Sequence, residues 1–226
     1  MKTFGESAFN FLQKLTPNFN VPTGIELLLL INDKNVRAIA KQFYSKFYDD
    51  SNQRIFVLGI NPGRLGAGTT GIAFTDPVNL ERFCGIKTNL SKSSELSSSF
   101  IYQAIEKYGG TESFFNKFFL TAVCPIGFTR NGKNMNYYDD KELEKETKDF
   151  IIKMLLKQIG IGANKEVAIC LGEGKNYSYL RKLNSKYAFF KKIIPLPHPR
   201  FIMQYKRKQL NYYLDMYMDV LNSTTV

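Results

Sequence analysis

Four short apolar runs, rich in β-branched and aromatic residues, alternate in this chain with segments of helical periodicity. Each run has the length and composition of a buried strand, and they cover residues 55–60, 118–124, 167–171 and 193–196. Apolar residues recur at helical spacing over residues 98–107 and 140–159, and Asp139 or Asp140 can cap the second helix. Alternating strands and helices form parallel sheets with crossover helices. The pattern therefore predicts an α/β fold, a three-layer α/β/α sandwich with a central, mainly parallel four-stranded sheet.

Helical patterns also occupy both ends of the chain. We expect helices over residues 4–15 and 24–48 before the first strand, and over residues 201–221 after the last one. Two polar segments, residues 91–99 (rich in Ser) and residues 130–138 (rich in Asn, Gly and Lys), have the composition of mobile surface loops.

Length and composition favour one domain and an anionic partner. A chain of 226 residues with 44% hydrophobic residues can bury one substantial core. We expect a single domain over residues 1–226, with a helical part at 1–50 and an α/β core with the C-terminal helix at 51–226. The net charge of +11 favours nucleic acid as a partner, although a solvated basic surface has the same composition.

The cysteines and the N-terminus indicate a reducing compartment. Cys84, Cys124 and Cys170 are odd in number and far apart, unlike the ligands of a zinc site or a disulfide framework, so we expect buried or semi-buried thiols. The N-terminus lacks the continuous apolar segment of a secretory signal. The apolar run at residues 27–31 is too short to cross a membrane. These features predict a cytoplasmic protein that does not bind a membrane.

A glycine-rich segment follows the first predicted strand. This segment, residues 59–74 and here called the glycine loop, begins Gly59-Ile60-Asn61-Pro62-Gly63 and ends at Phe74. It lacks the Lys followed by Ser or Thr that a P-loop requires. Asn61 and Pro62 interrupt the strand-to-helix turn of a dinucleotide site. The loop therefore predicts a backbone that approaches a flat ligand closely, with Phe74 stacked on it.

The chain has one histidine, His198, and it follows the last predicted strand between two prolines. Open α/β sheets place their sites at the carboxyl ends of the strands, so Asn61 and His198 are expected at one edge of the sheet. An amide and an imidazole at the same site suit cleavage of a bond to a nucleobase. Two structural alternatives stay open, because Asn61 is also a common turn residue before proline and His198 can be a capping or core histidine.

Several motifs together resemble one enzyme family. The segment Gly59-Ile60-Asn61-Pro62-Gly63, then Thr70-Gly71-Ile72-Ala73-Phe74, then Phe83-Cys84-Gly85-Ile86 is similar to the first motif of the single-strand-selective monofunctional uracil-DNA glycosylases. The resemblance resumes at Cys124-Pro125-Ile126, at Gly132-Lys133-Asn134 and at His198-Pro199-Arg200. It therefore covers most of the chain between residues 55 and 200.

The resemblance implies a reaction and the residues that perform it. Glycosidic cleavage passes through a cation-like sugar while the base leaves as an anion. Asn61 would hold the attacking water, His198 would donate a hydrogen bond to the leaving base, and Phe74 would stack on the base after it flips out of DNA. The remaining residues implied for substrate binding are Gly59, Ile60, Pro62, Gly63, Gly71, Asn134 and Asn136.

Two positions depart from the family. The family has an asparagine that reads the pyrimidine edge two residues before its Cys-Pro pair, whereas this chain has Ala122 there. Thr121, Asn134 or Asn136 can take over the reading of the base, or the substrate is not uracil; both asparagines are also plain turn formers. The family has a serine inside its His-Pro motif that this chain lacks, so the loop after His198 is shorter and is expected to enter duplex DNA less deeply.

A basic and aromatic segment next to His198 is the predicted DNA contact. Arg200 and Phe201 can contact a phosphate or fill the space that the flipped base leaves. The segment Lys206-Arg207-Lys208 can extend a phosphate track, with Arg64 on the glycine loop as a further contact; a solvated basic face is the alternative.

We therefore expect a monomeric, monofunctional glycosylase that removes uracil or a related deaminated or damaged base from DNA without a metal or cofactor. Lyase activity is disfavoured because no lysine stands at an imine-forming position. Two alternatives remain at this point. One is a non-catalytic binder of single-stranded or damaged nucleic acid, and the other is a hydrolase of free nucleosides or nucleotides.

Overall fold

Seven strands form two sheets in the described part of the chain, which comprises residues 2–29, 31 and 33–225 of a computed structural model. In chain order the strands are β1 (Glu26–Leu28), β2 (Arg54–Gly59), β3 (Phe118–Ala122), β4 (Gly127–Arg130), β5 (Lys133–Met135), β6 (Ala163–Leu171) and β7 (Lys192–Leu196). The central sheet has the order β3-β2-β6-β7, and every pairing in it is parallel. The four strands predicted from the apolar runs are confirmed, with β6 starting four residues earlier than expected.

Helices surround the central sheet. They are α1 (Phe4–Gln13), α2 (Lys34–Phe47), α3 (Ala67–Thr70), α4 (Pro77–Cys84), α5 (Leu96–Tyr108), α6 (Gly110–Phe115), α7 (Lys141–Ile159), α8 (Lys175–Tyr187), α9 (Pro199–Tyr205) and α10 (Leu210–Ser223). Asp140 caps α7 as predicted, since its Oδ1 accepts the N–H groups of Glu142 and Leu143, both at 3.0 Å. Among the described residues, no helix combines the length and the apolar character needed to cross a bilayer.

The strand order explains the three layers. The connection from β2 to β3 runs toward one edge of the sheet, and the connection from β6 to β7 runs toward the other edge. Because parallel crossovers are right-handed, α5 and α6 lie on one face and α8 lies on the opposite face. The predicted α/β/α sandwich is therefore confirmed, and the neighbouring strands β2 and β6 mark the point where the direction of winding changes. Ligands bind at the carboxyl ends of strands at such a point.

A small antiparallel sheet, with the order β1-β4-β5, was not predicted. The expected loop at residues 130–138 holds only for residues 131–132 and 136–138, because Arg130 ends β4 and Lys133–Met135 is a strand that pairs with it. Asn131 and Gly132 join the two strands with φ of 52° and 70°, which is typical of a type I′ hairpin turn. The expected helix at residues 24–48 is also wrong over its first part, where β1 pairs with β4; Leu30 and Asn32 in that range lie outside the described residues.

The predicted terminal helix over residues 201–221 consists of three pieces. α9 ends at Tyr205, a 3₁₀ turn covers Arg207–Gln209, and α10 follows. No residue is buried between Met203 and Leu214. Within this stretch, which the structure describes completely, only Leu210 and Tyr213 pack partly against the core, and this does not hold one continuous helix. The expected loop at residues 91–99 is irregular only up to Glu95, because α5 begins at Leu96.

Candidate active site

The loops after three strands of the central sheet meet at its carboxyl edge and enclose a cavity of about 290 Å³. Its walls come from the glycine loop after β2, the end of β3, the strand β5 and the start of α9. The predicted site residues that line it are Gly59, Ile60, Asn61, Pro62, Gly63, Phe74, Asn134, Asn136, His198, Arg200 and Phe201. The amide of Asn61 and the imidazole of His198 thus belong to one cavity.

Four predicted site residues lie outside this lining. Arg64 is exposed on the glycine loop, and Lys206 and Arg207 are exposed beyond α9. Gly71 ends α3 with φ of 73°, in the left-handed region. A Cβ at Gly71 would lie 3.0 Å from Cγ1 of Val36. The backbone conformation and the packing against α2 therefore explain the glycine at this position.

The side-chain amide of Asn61 is held by the backbone around β5. Nδ2 donates to the carbonyl oxygens of Met135 (3.2 Å) and Pro62 (3.4 Å), and Oδ1 accepts the N–H of Tyr137 (3.2 Å). Because two acceptors face Nδ2 and a donor faces Oδ1, the orientation of the amide is determined. Oδ1 keeps a second lone pair, which can accept a hydrogen bond from a water in the cavity.

His198 is a neutral hydrogen-bond donor whose tautomer is determined by the fold. Its Nδ1 accepts the backbone N–H of Arg200 at 3.2 Å and thereby caps α9. A ring nitrogen that accepts a hydrogen bond does not carry the proton, so the proton is on Nε2. Burial, and next the charge of Arg200, lower the pKa of His198 to about 4. His198 is therefore a capping residue, as in one structural alternative, and it also lines the cavity.

The ring of Phe74 is an aromatic wall of the cavity. Its centroid lies 6.1 Å from that of His198, with 45° between the ring planes. Gly59 makes room for it, because a Cβ there would lie 2.4 Å from Cζ of Phe74. Phe74 has φ of 55°, and the turn around it is held by the buried Thr70 hydroxyl, which donates to the carbonyl oxygen of Thr75 at 2.6 Å. The fold therefore holds this ring in one defined position.

The end of β3 offers no free polar side chain to the cavity. Ala122 contributes only its methyl group, as its identity requires. The hydroxyl of Thr121 donates to Oε1 of Gln158, whose Nε2 donates to the Ala122 carbonyl oxygen at 3.2 Å. Gln158 is fully buried, so it directs the Thr121 hydroxyl into the protein. A smaller, mostly apolar cavity of about 60 Å³ also borders Thr121 and Ala122.

Two asparagines that line the cavity, Asn134 in β5 and Asn136 directly after it, differ in their hydrogen bonds. Oδ1 of Asn134 accepts the N–H of Arg64 at 3.1 Å and so joins β5 to the glycine loop. Asn136 forms a turn through its backbone, because its N–H donates to Oδ2 of Asp139 at 2.7 Å. Among the described residues, the side-chain amide of Asn136 has no hydrogen-bond partner. Both the donor and the acceptor of the Asn136 side chain are therefore available in the cavity, whereas the oxygen of Asn134 is engaged.

The structure adds lining residues that the sequence patterns do not reveal. They are Ala67, Ala73, Glu95, Ser97, Met135, Gln204 and Tyr205; Thr121 and Ala122, which the family resemblance had already singled out, also line the cavity. Glu95 and Tyr205 are the ionisable residues among them. Burial raises the pKa of the Glu95 carboxyl group to about 7; the charge of Arg200 opposes this rise, and the charge of Asp76 adds to it. Nothing in the serine-rich segment around Glu95 marks it as a site residue. Only the folded structure identifies Glu95 as a site residue, because folding brings it against the glycine loop.

A buried amide behind the cavity holds its walls together. Nδ2 of Asn176, on α8, donates to the carbonyl oxygens of Gly59 (3.3 Å) and Leu171 (3.1 Å), at the ends of β2 and β6. Oδ1 of Asn176 accepts the hydroxyl of Tyr137 at 3.0 Å. Because Tyr137 also donates its N–H to Asn61, this network connects the sheet to the residue that faces the cavity.

Replacing Asn176 by alanine is expected to lower the free energy of unfolding by about 2–3 kcal/mol, because three buried polar partners lose hydrogen bonds. Urea denaturation followed by circular dichroism measures this change. Asn211, exposed on α10, is the matched control, and its replacement by alanine should change stability by less than about 0.5 kcal/mol. Equal effects of the two substitutions would contradict the role of Asn176.

The cysteines are buried and free, as predicted. Burial raises the pKa of Cys84 to about 11 and the pKa values of Cys124 and Cys170 to about 12, so all three are thiols at neutral pH. Across residues 2–29, 31 and 33–225, no group of three or more His, Cys, Asp or Glu side chains is arranged to hold a metal ion.

Comparisons with known proteins agree with this geometry. The family model of the uracil DNA glycosylase superfamily matches residues 45–221, a range that includes the glycine loop and His198. The crystal structure of wild-type SMUG2 from Pedobacter heparinus is similar with a TM-score of 0.97 and 41% sequence identity, covering 100% of this chain and 99% of that chain. No curated protein sequence is significantly similar to the chain. The chain therefore belongs to the uracil DNA glycosylase superfamily, and it is a DNA N-glycosylase.

Proposed function

We propose that this glycosylase acts as a monomer and hydrolyses the N-glycosidic bond of uracil or a related deaminated base in DNA, with Asn61 and His198 as its catalytic residues. One observation carries the proposal: an oriented amide and a neutral imidazole line the same cavity at the carboxyl edge of the sheet. The similarity to SMUG2 over the whole chain supports the same reaction class.

His198 stabilises the leaving base. As the glycosidic bond breaks, negative charge develops on the carbonyl oxygen of the base next to that bond. The Nε2–H of His198 donates a hydrogen bond to this oxygen, because Nδ1 is engaged by Arg200. The imidazole stays neutral at physiological pH, so it acts through a hydrogen bond rather than by donating a full proton.

Asn61 orients the attacking water. Its Oδ1 has one lone pair left after the hydrogen bond from Tyr137, and a water that donates to it is held above the sugar. An amide is too weak a base to deprotonate water by itself. A cation-like sugar needs only a correctly placed nucleophile, so the contribution of Asn61 is position.

Phe74 and Asn136 recognise the flipped base in this proposal. Phe74 stacks on its face, and the side-chain amide of Asn136 presents both a donor and an acceptor to its edge. Asn136 takes this role because Thr121 is bonded to Gln158 and Asn134 is bonded to Arg64. Ala122 leaves space where an amide would otherwise discriminate pyrimidines, so the recognition of uracil is less strict here than in an enzyme with asparagine at that position.

The DNA backbone is held at the rim of the cavity. Arg200 and Phe201 are exposed and line the cavity at the start of α9. Arg64, Lys206 and Arg207 are exposed beyond the lining, where they can contact phosphates of the flanking nucleotides. The cavity-lining residues in the described chain include no lysine. The reaction is therefore monofunctional, since no amine is placed to form an imine with the sugar.

Labelled oligonucleotides that contain uracil, hypoxanthine or xanthine test the proposal. After incubation with the protein, alkali cleaves the strand wherever a base has been released. Strand scission that is strongly slowed by His198→Ala and by Asn61→Ala supports the proposed function. Tight binding without scission of any lesion would show a non-catalytic binder, and release of bases from free nucleosides alone would show a nucleoside hydrolase.

Phe74→Ala is expected to slow base release by about tenfold or more while changing the affinity for undamaged DNA less than about twofold. Stacking acts only on the flipped base, and a base–aromatic stack contributes about 1–3 kcal/mol. Single-turnover rates on a uracil oligonucleotide and binding to an undamaged one of the same sequence measure the two effects. Equal losses in both assays would rule out this role of Phe74.

A further inference from the structure

Glu95 is the only aspartate or glutamate among the described residues that line the cavity. It is the residue that precedes α5, a position where a side chain usually caps the helix. The Glu95 side chain makes no such cap. Its backbone N–H donates instead to Oδ2 of Asp76 at 2.8 Å, which leaves the carboxyl group directed to the glycine loop.

Two glycines of the loop provide the space for this carboxyl group. A Cβ on Gly66 would lie 2.0 Å from Oε2 of Glu95, and a Cβ on Gly63 would lie 3.0 Å from Oε1. The distance at Gly66 is too short for a real side chain and the distance at Gly63 is tight, so glycine at both positions leaves room for Glu95 in this orientation. Gly63 is two residues along the chain from Asn61, the proposed water-holder, so the carboxyl group borders the same loop.

The charge of this carboxyl group is not neutralised by a direct partner. Within the described residues, neither oxygen of Glu95 accepts a hydrogen bond, and no cation lies within ion-pair distance of it. Arg200 is near enough to lower the pKa of Glu95, but burial and Asp76 raise it more. A half-buried carboxylate without partners acts on nearby charge with little screening.

We propose that Glu95 is a catalytic carboxylate of this enzyme, which stabilises the cation-like deoxyribose and accepts the proton of the attacking water. The inference rests on the proposed function, because it needs a reaction that creates positive charge on the sugar. The amide of Asn61 cannot supply negative charge, and His198 faces the opposite charge on the leaving base. Of the described residues that line the cavity, Glu95 alone offers an acidic group for the sugar.

The proposed step is balanced in atoms and charge. The electron pair of the bond between C1′ and the base nitrogen goes to the base, which leaves as an anion hydrogen-bonded to His198. The water oxygen forms a bond to C1′ as one of its O–H bonds breaks, and that proton goes to the Glu95 carboxylate. The products are an abasic sugar with a C1′ hydroxyl, a protonated Glu95 and the base anion, which then takes a proton from solvent.

If Glu95 has this role, the rate of base release depends on whether its carboxyl group is ionised. The groups that face it are Arg200 from α9 and Asp76 before α4; His198, also in the cavity, stays neutral above about pH 5 because its pKa is about 4. The rate of base release should therefore rise with pH and level off above the pKa of Glu95, near 7.

Glu95→Gln keeps the shape of the side chain and removes its charge. We expect the single-turnover rate on a uracil oligonucleotide at pH 8 to fall about 10²-fold and its rise with pH to disappear. Binding to an oligonucleotide with uncleavable 2′-fluoro-deoxyuridine should change less than about twofold. Glu81→Gln is the control, because Glu81 pairs with Lys92 and does not line the cavity, and it should keep the wild-type rate and pH profile.

Glu95→Asp retains a carboxylate, so it distinguishes loss of the negative charge from disturbance of the fold by the substitution. It should be slower than wild type but still show the rise with pH. A Glu95→Gln protein with the wild-type rate at pH 8, or a Glu95→Asp protein without the pH dependence, would overturn the inference. If the wild type releases base and His198→Ala does not, such a result refutes only the role of Glu95; a wild type that releases no base from DNA refutes the proposed function and the inference together.

Discussion

Replacing His198 by alanine is expected to slow base release by about 10²–10³-fold, because the transition state loses the one hydrogen bond that the imidazole donates to the leaving base. Single-turnover rates on a uracil oligonucleotide, with enzyme in excess, measure the chemical step directly. Binding to uncleavable DNA should change much less, since the charge on the base develops only as the bond breaks.

The control for this prediction concerns the capping role of His198. Alanine also removes the acceptor for the N–H of Arg200, which should cost about 1 kcal/mol of stability. His198→Ser restores a capping oxygen but cannot reach the base. We expect this variant to recover stability and remain as slow as alanine; a serine variant with wild-type activity would show that capping, not hydrogen bonding to the base, explains the loss.

The pH dependence of His198 follows from its lowered pKa. The imidazole is neutral in the folded protein down to about pH 4, whereas its usual pKa is about 6.5. A histidine with a lowered pKa in the folded state contributes stability above pH 6.5, and this contribution is lost as the pH falls toward 4. Urea denaturation at pH 7 and at pH 4.5 should therefore show a smaller pH difference for His198→Ser than for wild type.

Replacing Asn61 by alanine is expected to slow base release about 10²-fold, because the attacking water loses the acceptor that positions it. The substitution also leaves the carbonyl of Met135 and the N–H of Tyr137 without their partner, at a cost of about 1–3 kcal/mol in stability. Single-turnover rates and urea denaturation separate the two effects.

Two further variants test which atom of Asn61 matters. Asn61→Asp keeps an acceptor for water and for Tyr137 but loses the donor to Met135, so it should be faster than Asn61→Ala. Asn134→Ala is the matched control, because Asn134 lines the same cavity and its amide is bonded to Arg64; it should retain most of the activity. An aspartate variant as slow as alanine, with intact folding, would argue against the water-accepting role.

The central fold could be predicted because its signals are local. The buried parts of the parallel strands read as apolar runs, as in β2, where all six residues are buried. The small sheet was missed because β1 and β5 have three residues each, too few to show a period. Asn131-Gly132 was a usable hairpin signal, since this pair favours the positive φ of a type I′ turn.

Some residues of the candidate site could also be predicted from the sequence, and others could not. Asn61, Phe74 and His198 could be predicted because each belongs to a motif that follows an apolar strand. Glu95 could not, because its contact with Gly63 and Gly66 joins segments about thirty residues apart, and no periodicity records such a contact. The hydrogen bond from Thr121 to Gln158 could not be predicted for the same reason.

The sequence by itself determined the parallel sheet, the glycine loop and the place of the lone histidine, because burial on both faces and strand-end position are properties of short segments. Only the tertiary structure decided how these side chains are oriented and where the imidazole proton lies. The proton of His198 is on Nε2 because α9 begins with the N–H of Arg200 on Nδ1, and the amide of Asn61 is oriented because β5 brings Met135 and Tyr137 against it. These choices depend on hydrogen bonds across distant segments, which form only once the chain has folded.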